Sequence, residues 1–559
     1  MGETTCKESS LFFDRWEDLF SRPFRTYGHV GIALLAVAGL LLQGGCRGCG
    51  HPAHRNRLTL VVHMGAEPPH LNPLIQEDMW LKRIVTNNVF ETLIRRDPKT
   101  YRLKPNLARK WTLSVDGRTL DLWLRSGVHW HDGQAFGPKD VLFTFDRLMD
   151  PTVTAGSARA AFVGLQSWKQ VGPNQVRLRF SKSTTRVLEA LAYLDILPRH
   201  IYGRGDLNHL AANDRPVGTG PFRFDRWKRG EFIRLRRNES YWGRKPAITT
   251  VLYRVIRSRQ KAFELARAGK IDLLPRILPR QACGVDAPAR QPVIAKQYRL
   301  VVFYPVQYHS IIINFKNPIF SDRRVRQALA MLLNRKLIAD KIYCGFAKVI
   351  SGPYWIGGAS YDHHIAPWPY DPQRAAALLA QAGWRDTDGD GILDRQGKPF
   401  RFVYLRIAES AMQAKLIPLF REAFRKAGLD MQVHVASWPD VLAKLRHHQF
   451  DMVDLNWVSD YGQDLFQLYH SSQCNGGSNY GCYRNAEVDR LLEQARQTRS
   501  PKERHAIERK IHGLLHQDLP GIFLFNGASI SLVSRRFAGL EPSAEWFSVR
   551  DARPVQGAK

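Results

Sequence analysis

Residues 298–315 read YRLVVFYPVQYHSIIINF, and residues 519–534 read LPGIFLFNGASISLVS. Both are runs of β-branched and aromatic residues punctuated by Pro or Gly, a strand composition rather than a helical one. They flank a long segment in which helical and strand patterns alternate. If the two passages are paired crossing strands, that segment is one lobe inserted into another, and a ligand site is expected in the cleft between them. Length points the same way: a chain of 559 residues exceeds the roughly 250–300 residues that one hydrophobic core organises.

Outward from these passages the two periodicities alternate. LTLVVHM (residues 58–64) opens the folded part as a strand, and period-two alternation recurs in TLDLWLR, QVRLRF and FIRLRRN. Val325, Ala328, Leu329, Leu332 and Leu333 fall on one helical face behind the capping candidates Ser321 and Asp322. A later helix starts at SPKE, where Ser500 caps, Pro501 suits the first turn and Glu503 completes a capping box; its buried face is Ile507, Ile511, Leu514 and Leu515. Mixed α/β lobes follow from this alternation.

Hydrophobic residues make up 44% and charged residues 24% of the chain, the balance of a folded globular protein. The net charge of +31 is spread along the whole chain (RLRRN, SDRRVR, VSRRF), with no basic block and no zinc-finger or helix-turn-helix pattern. A solvated basic surface is therefore expected, without nucleic acid as a partner. Near the start, Val30 to Leu42 is apolar, follows Arg22 and Arg25 and precedes QGGC. It is shorter than the roughly 20 residues of a membrane span and reads as the core of an export signal.

Export permits disulfides. Cys474 and Cys482 are close enough in sequence to close a small loop, with no Cys/His knuckle around them, so a disulfide is favoured over zinc. Cys283 and Cys344 have no evident partners and are expected to be buried free thiols.

Motifs for bond-making chemistry are weak. VHWHDG places His129 and His131 on one side of a strand with Asp132 beside them, a zinc or nickel set lacking a convincing third ligand. DTDGDGILD (Asp386, Asp388, Asp390, Asp394) begins like a calcium loop, but its twelfth position is Gly397, and a solvated Asp-Gly turn is the better reading. PVGTGPF lacks the residues of a phosphate loop and reads as a tight bend. No cofactor and no enzymatic activity are expected.

Several segments resemble, in order, those of the family 5 solute-binding proteins, the oligopeptide- and dipeptide-binding receptors of ABC importers: FETLIRRD, PNLARKW, LRSGVHWHDGQAFGPKDVLFTFDRLMDP, PVGTGPFRFDRW, ARAGKIDLLP, FSDRRVRQALAMLLNRKLIADKI, YDPQRAAALLAQAGW and FDMVDLNWVSDYGQDLFQL. The resemblance runs from about Leu58 to the C-terminal region. It implies an α/β, periplasmic binding protein-like fold of the cluster C type: two lobes joined by a two-strand hinge, with an extra subdomain. Residues 1–56 are expected as signal or lipoprotein leader and linker. The first lobe is expected from 57–99, 190–295 and 526–559, the extra subdomain from 100–189, and the second lobe from 296–525.

The resemblance also implies a function, that of an extracytoplasmic receptor on the outer face of a bacterial membrane. Such a receptor is expected to be monomeric, to bind short peptides between its lobes and to deliver them to a permease. Asp460 then stands where peptide receptors pair a carboxylate with the ligand's α-ammonium, with Trp457 and Tyr461 around it. An ammonium leaving water is costly unless paired, which is why a cleft carboxylate selects for amines. Arg406, after the strand FVYL, is the candidate partner of a peptide carboxylate, against the competing reading of an ordinary surface arginine. Gly45–Cys46 resembles the end of a lipobox, making Cys46 the candidate lipid anchor. GQDL replaces the Asp-Pro that often follows DY, so the local turn is expected to differ. The alternatives are the same fold holding a nickel chelate, heme, oligosaccharide or opine, and, more distantly, a metal enzyme at His129 and His131.

Overall fold

The computed structural model describes residues 56–75, 78–155, 158–159, 161–183, 187–284, 292–459, 462–544 and 546–556. Its first strands are β1 (Thr59–Met64), β2 (Ala108–Leu113), β3 (Thr119–Leu124), β4 (Leu165–Gly172) and β5 (Gln175–Phe180). Next come β6 (Phe222–Lys228), β7 (Phe232–Arg237), β8 (Thr250–Val255), β9 (Leu273–Leu274), β10 (Tyr298–Phe303) and β11 (Gln307–Ile313). The later ones are β12 (Ala347–Val349), β13 (Arg401–Ile407), β14 (Asp430–Ala436), β15 (Met452–Val458), β16 (Gly521–Gly527) and β17 (Ser529–Ser534).

One sheet has seven strands in the order β10-β17-β9-β1-β8-β7-β6, and a second has six in the order β12-β16-β11-β15-β13-β14. The strands β2-β3-β5-β4 form a separate four-stranded antiparallel sheet, against which the helix Pro138–Met149 packs. Each large sheet carries its own buried apolar cluster, one around Leu60, Val62 and Leu273, the other around Ile311, Leu329 and Tyr404.

The two opening passages are the crossing strands. Residues 304–306 lead from β10 in the first sheet to β11 in the second, and Ala528 leads back from β16 to β17. Phe303 pairs with Ser529 on one side of the crossing and His309 with Phe525 on the other, so the two connections run side by side. Asn526 Nδ2 fastens them together, donating to Pro305 O at 3.1 Å and Gln307 O at 2.5 Å, while Gln307 Nε2 donates to Gly527 O at 3.1 Å.

Strand direction decides where the lobes meet. β1, β8 and β9 are parallel; β17 is antiparallel to both β9 and β10, so β10 ends where β1, β8 and β9 end. In the second sheet β13, β14 and β15 are parallel and β11 is antiparallel to β15, with Gln307 opposite Val458. The crossing therefore joins the carboxyl end of one sheet to the carboxyl end of the other. Open α/β sheets bind ligands beyond the carboxyl ends of their strands, so both lobes offer their binding end at the crossing.

The helical expectations follow the periodicity. The helix Arg323–Leu332 is capped by Asp322, whose Oδ1 accepts from Arg324 N at 2.8 Å, and it buries Val325, Ala328, Leu329 and Leu332. Ser500 caps Pro501–Asp518 through Glu503 N at 3.4 Å, and Ile507, Ile511 and Leu515 are buried while Leu514 is half-buried. Among the described residues no helix is long and apolar enough to cross a membrane. Cys46 and the apolar run before it lie outside the described residues.

One cysteine expectation is corrected. Cys283 and Cys344 are neither free nor fully buried: they form a disulfide with their Cα atoms 6.2 Å apart. Cys283 ends a short helix shortly before β10, and Cys344 lies in the turn before β12, so this bond ties the two lobes close to the crossing. Their separation of 61 residues concealed the pairing, which only the folded path brings about.

Candidate functional site

The second lobe's share of the site is the end of β15. Trp457 is half-buried there and lies nearly parallel to Tyr480, with ring centroids 6.3 Å apart and an interplanar angle of 23°. Beyond Val458, Ser459 N donates to Val306 O at 3.0 Å, pinning the chain to the crossing segment. Asp460 and Tyr461, the expected carboxylate and its neighbour, lie outside the described residues.

The turn after them is tied on its far side. Gln463 Oε1 accepts from Trp355 N at 2.6 Å, and Trp355 Nε1 donates to Tyr304 O at 2.8 Å, again on the crossing. Asp464 accepts from Phe466 N at 3.1 Å and pairs with Arg496 at 2.7 Å, while the Arg496 guanidinium lies 3.7 Å from the Phe466 ring centroid. The departure GQDL thus has a local account: its Gln fixes the turn to Trp355 and its Asp fixes it to the following helices.

The loop behind Trp457 is closed by a Cys474–Cys482 disulfide with Cα atoms 4.7 Å apart. Within it Asn479 is buried and saturated, donating to His470 O and Tyr483 O and accepting from Tyr483 N. His448 lies against the sulfurs, its ring nitrogens 3.6 Å from Cys482 Sγ, and its Nδ1 is 2.8 Å from Tyr480 O. Phe315 N donates to Gly481 O at 2.8 Å, docking the loop on the end of β11. The loop thereby holds Tyr480 flat against Trp457.

Arg406 is the penultimate residue of β13, which neighbours β15. It is half-buried, and its Nε is buried without a hydrogen-bond partner. Leu405 pairs with Val453, so Trp457 extends further past the sheet than Arg406 does.

Sequence reasoning missed two polar groups at this end. Asp454, almost fully buried on β15, accepts from Tyr404 OH at 2.9 Å and pairs with His309 Nε2 at 2.7 Å. A carboxylate within the apolar run MVDLNWV was the available signal, because a buried charge needs partners. The first lobe contributes a cavity rimmed by arginines that follow the strand ends, including Arg257 and Arg276. Each arginine is unremarkable alone, and only the parallel registers gather them.

The histidine pair of the distant metal alternative is dispersed. His131 Nε2 donates to Gly220 O at 3.0 Å and its Nδ1 accepts from Gly218 N at 3.2 Å, so both nitrogens are spent on the glycine bend, while His129 is exposed. Asp132 pairs instead with His200 at 2.7 Å. In the Asp-Gly turn, Asp386 accepts from Gly389 N and Gly391 N, and Asp394 accepts from Thr387 N and Oγ1.

Comparison with known proteins agrees with this arrangement. The model of the bacterial extracellular solute-binding proteins, family 5 Middle, matches residues 102–479. The oligopeptide-binding protein AppA of Bacillus subtilis (strain 168) is 28% identical over 478 residues, covering 83% of this chain and 86% of that protein. Its structure in complex with a nonapeptide superposes with a TM-score of 0.71 at 26% identity, over 89% of this chain and 99% of that one. NikZ from Campylobacter jejuni, solved with Ni(L-His), superposes with a TM-score of 0.72 at 25% identity, over 89% and 99%. The family comprises substrate-binding receptors of ABC importers rather than enzymes. With its sheets joined at their carboxyl ends by two crossing strands, this chain belongs to the bacterial extracellular solute-binding proteins of family 5.

Proposed function

We propose that the chain is the extracytoplasmic receptor of an ABC importer, binding short peptides between its lobes and handing them to a membrane permease. The observation that carries this is the crossing itself, which brings the carboxyl ends of both sheets to one place, together with the likeness to AppA, solved with a nonapeptide. Asp460 receives the peptide's α-ammonium; Ser459 before it is fastened to the crossing segment, and Gln463, three residues on, to Trp355. Trp457 and Tyr461 line the approach, and Arg406 offers a cation to a carboxylate. The chain acts as a monomer whose lobes close on the ligand. Cys46 anchors it by lipid to the outer face of the membrane, an assignment supported by the apolar run that precedes Gly45–Cys46. The lobes divide near the expected 57–99 with 190–295 and 526–559, 100–189, and 296–525, with the boundaries moved to the sheet changes at 304–306 and Ala528, since β10 pairs in the first sheet and β16 in the second.

Calorimetry with short peptides tests this reading: the expected result is micromolar binding lost in Asp460→Ala, and unchanged binding by that variant would remove Asp460 from the site. A second reading, the same cleft holding a metal chelate, is favoured by the equal structural likeness to NikZ. Native mass spectrometry of protein purified from its own host separates the two by the mass of the retained ligand.

A further inference from the structure

A cavity of about 350 Å³ opens at the carboxyl ends of β1, β8 and β9. His63 at the end of β1, Trp80 and Arg83 on the helix Met79–Val85, Arg257 and Arg259 after β8, and Arg276 after β9 line it. Among the described residues no Asp or Glu lines it, and none forms an ion pair with any of these four arginines. Arg257, Arg259 and Arg276 reach solvent while Arg83 is half-buried, and four like charges around one small space focus a positive field that attracts an anion.

The side chains are held ready for it. The Arg83 guanidinium is stacked 3.6 Å from the Trp546 ring centroid and 5.0 Å from that of Trp80, and the two indoles meet edge to face at 5.6 Å. Stacking occupies the faces of a guanidinium and leaves its N–H edges for a bidentate acceptor. Burial, then the charge of Arg276, holds its pKa down to about 9 against the pull of Asp78, so an entering anion favours its charged form. Asp78 itself caps the helix, accepting from Leu81 N at 2.8 Å. Arg276 stands in the left-handed region at φ 56°, a conformation disfavoured for any residue with a Cβ.

His63 supplies a second, independent pointer. It is 6% exposed, and its Nε2 donates to Ile256 O at 3.0 Å, so its Nδ1 is an acceptor. That Nδ1 is buried with no hydrogen-bond partner. Burial, and then the charge of Arg259, lowers the pKa of the ring, keeping the acceptor unprotonated. A buried acceptor without a donor inside a ring of cations asks for a ligand that brings an N–H or O–H beside its negative groups.

We propose that this cavity receives a multiply charged oxyanion group of the transported solute, so that the chain selects acidic solutes over neutral ones. The proposal rests on the receptor reading above and names its substrate class. Two sources share the chemistry: side-chain carboxylates of an acidic peptide, whose amide N–H meets His63 Nδ1, and a free polycarboxylate or phosphate.

The test is calorimetry of the full chain with Ala-Ala-Ala, Ala-Glu-Glu, citrate and inorganic phosphate, repeated for Arg83→Gln and for the rim variant Arg257→Gln/Arg259→Gln, with circular dichroism as the check on folding. Ala-Glu-Glu is expected to bind roughly ten-fold or more tighter than Ala-Ala-Ala, the range of one charge-assisted pairing. Both variants should erase that ratio by weakening Ala-Glu-Glu ten-fold or more beyond any loss for Ala-Ala-Ala. If citrate or phosphate binds, is weakened by the same variants, and neither peptide binds, the acidic class stands with the free anion as its source and the peptide reading falls. Equal binding of Ala-Ala-Ala and Ala-Glu-Glu without anion binding, arginine variants that leave the ratio intact, or no binding by any acidic probe overturns the proposal.

Discussion

Asp195 is a buried carboxyl with one oxygen satisfied, by Thr86 Oγ1 at 2.6 Å, and the other unpartnered. Burial, first of all, pushes its pKa up to about 7; Thr86 and Lys82 pull it down and the buried Glu91 adds to the rise. The folded value lies above the ordinary aspartate value of about 4, so between about pH 4 and 7 the folded chain holds a proton that the unfolded chain releases. Its contribution to stability is therefore present at low pH and lost as pH rises through that window. Asp195→Asn cannot ionise, and its melting temperature is expected to exceed that of the natural chain at pH 8 by more than at pH 5; parallel curves would show the carboxyl to be ionised in the fold. Gly218 illustrates a different constraint. Its backbone φ is ordinary, but a Cβ there would run into Val89 O, and the neighbouring Gly220 crowds Asn88 O. Gly218→Ala should cost about 2 kcal/mol in denaturant unfolding, the scale of overpacking.

At the scale of elements, much was legible because local physics set it. Alternation exposed β3, β5 and β7, capping residues placed two helices, and the paired passages announced the crossing. The short-range disulfide was readable from eight residues of separation, whereas the Cys283–Cys344 bond was not, since nothing near either cysteine names the other. The same limit hid the arginine cavity: Arg83, Arg257 and Arg276 come from three separate segments and meet only through parallel strand pairing. His131, whose spacing left a metal alternative open, instead holds the backbone of the 218–220 bend. Removing the lobe-to-lobe bond with Cys283→Ser/Cys344→Ser should cost about 4 kcal/mol on the chain-entropy account of a loop this long. It should also enlarge the radius of gyration of the ligand-free protein in X-ray scattering; an unchanged radius would mean that the crossing strands alone set the opening.

For the whole molecule, the side-chain bonds that Asn526, beside one connection, makes to Pro305 and Gln307 on the other make the crossing a stiff two-stranded strap. Asn526→Ala should loosen it, weakening ligand binding by several-fold while leaving the far-ultraviolet circular dichroism of the free protein unchanged; equal affinities would locate the flexing elsewhere. The position of β17 has a consequence for how the chain is made. It lies inside the seven-stranded sheet, between β10 and β9, yet it follows the whole second sheet in the chain. Until residues 529–534 emerge, β10 has no neighbour in that sheet and the first lobe has no way to close, however completely the rest has formed. Biosynthesis therefore keeps this lobe open until the second lobe's last strand has been made.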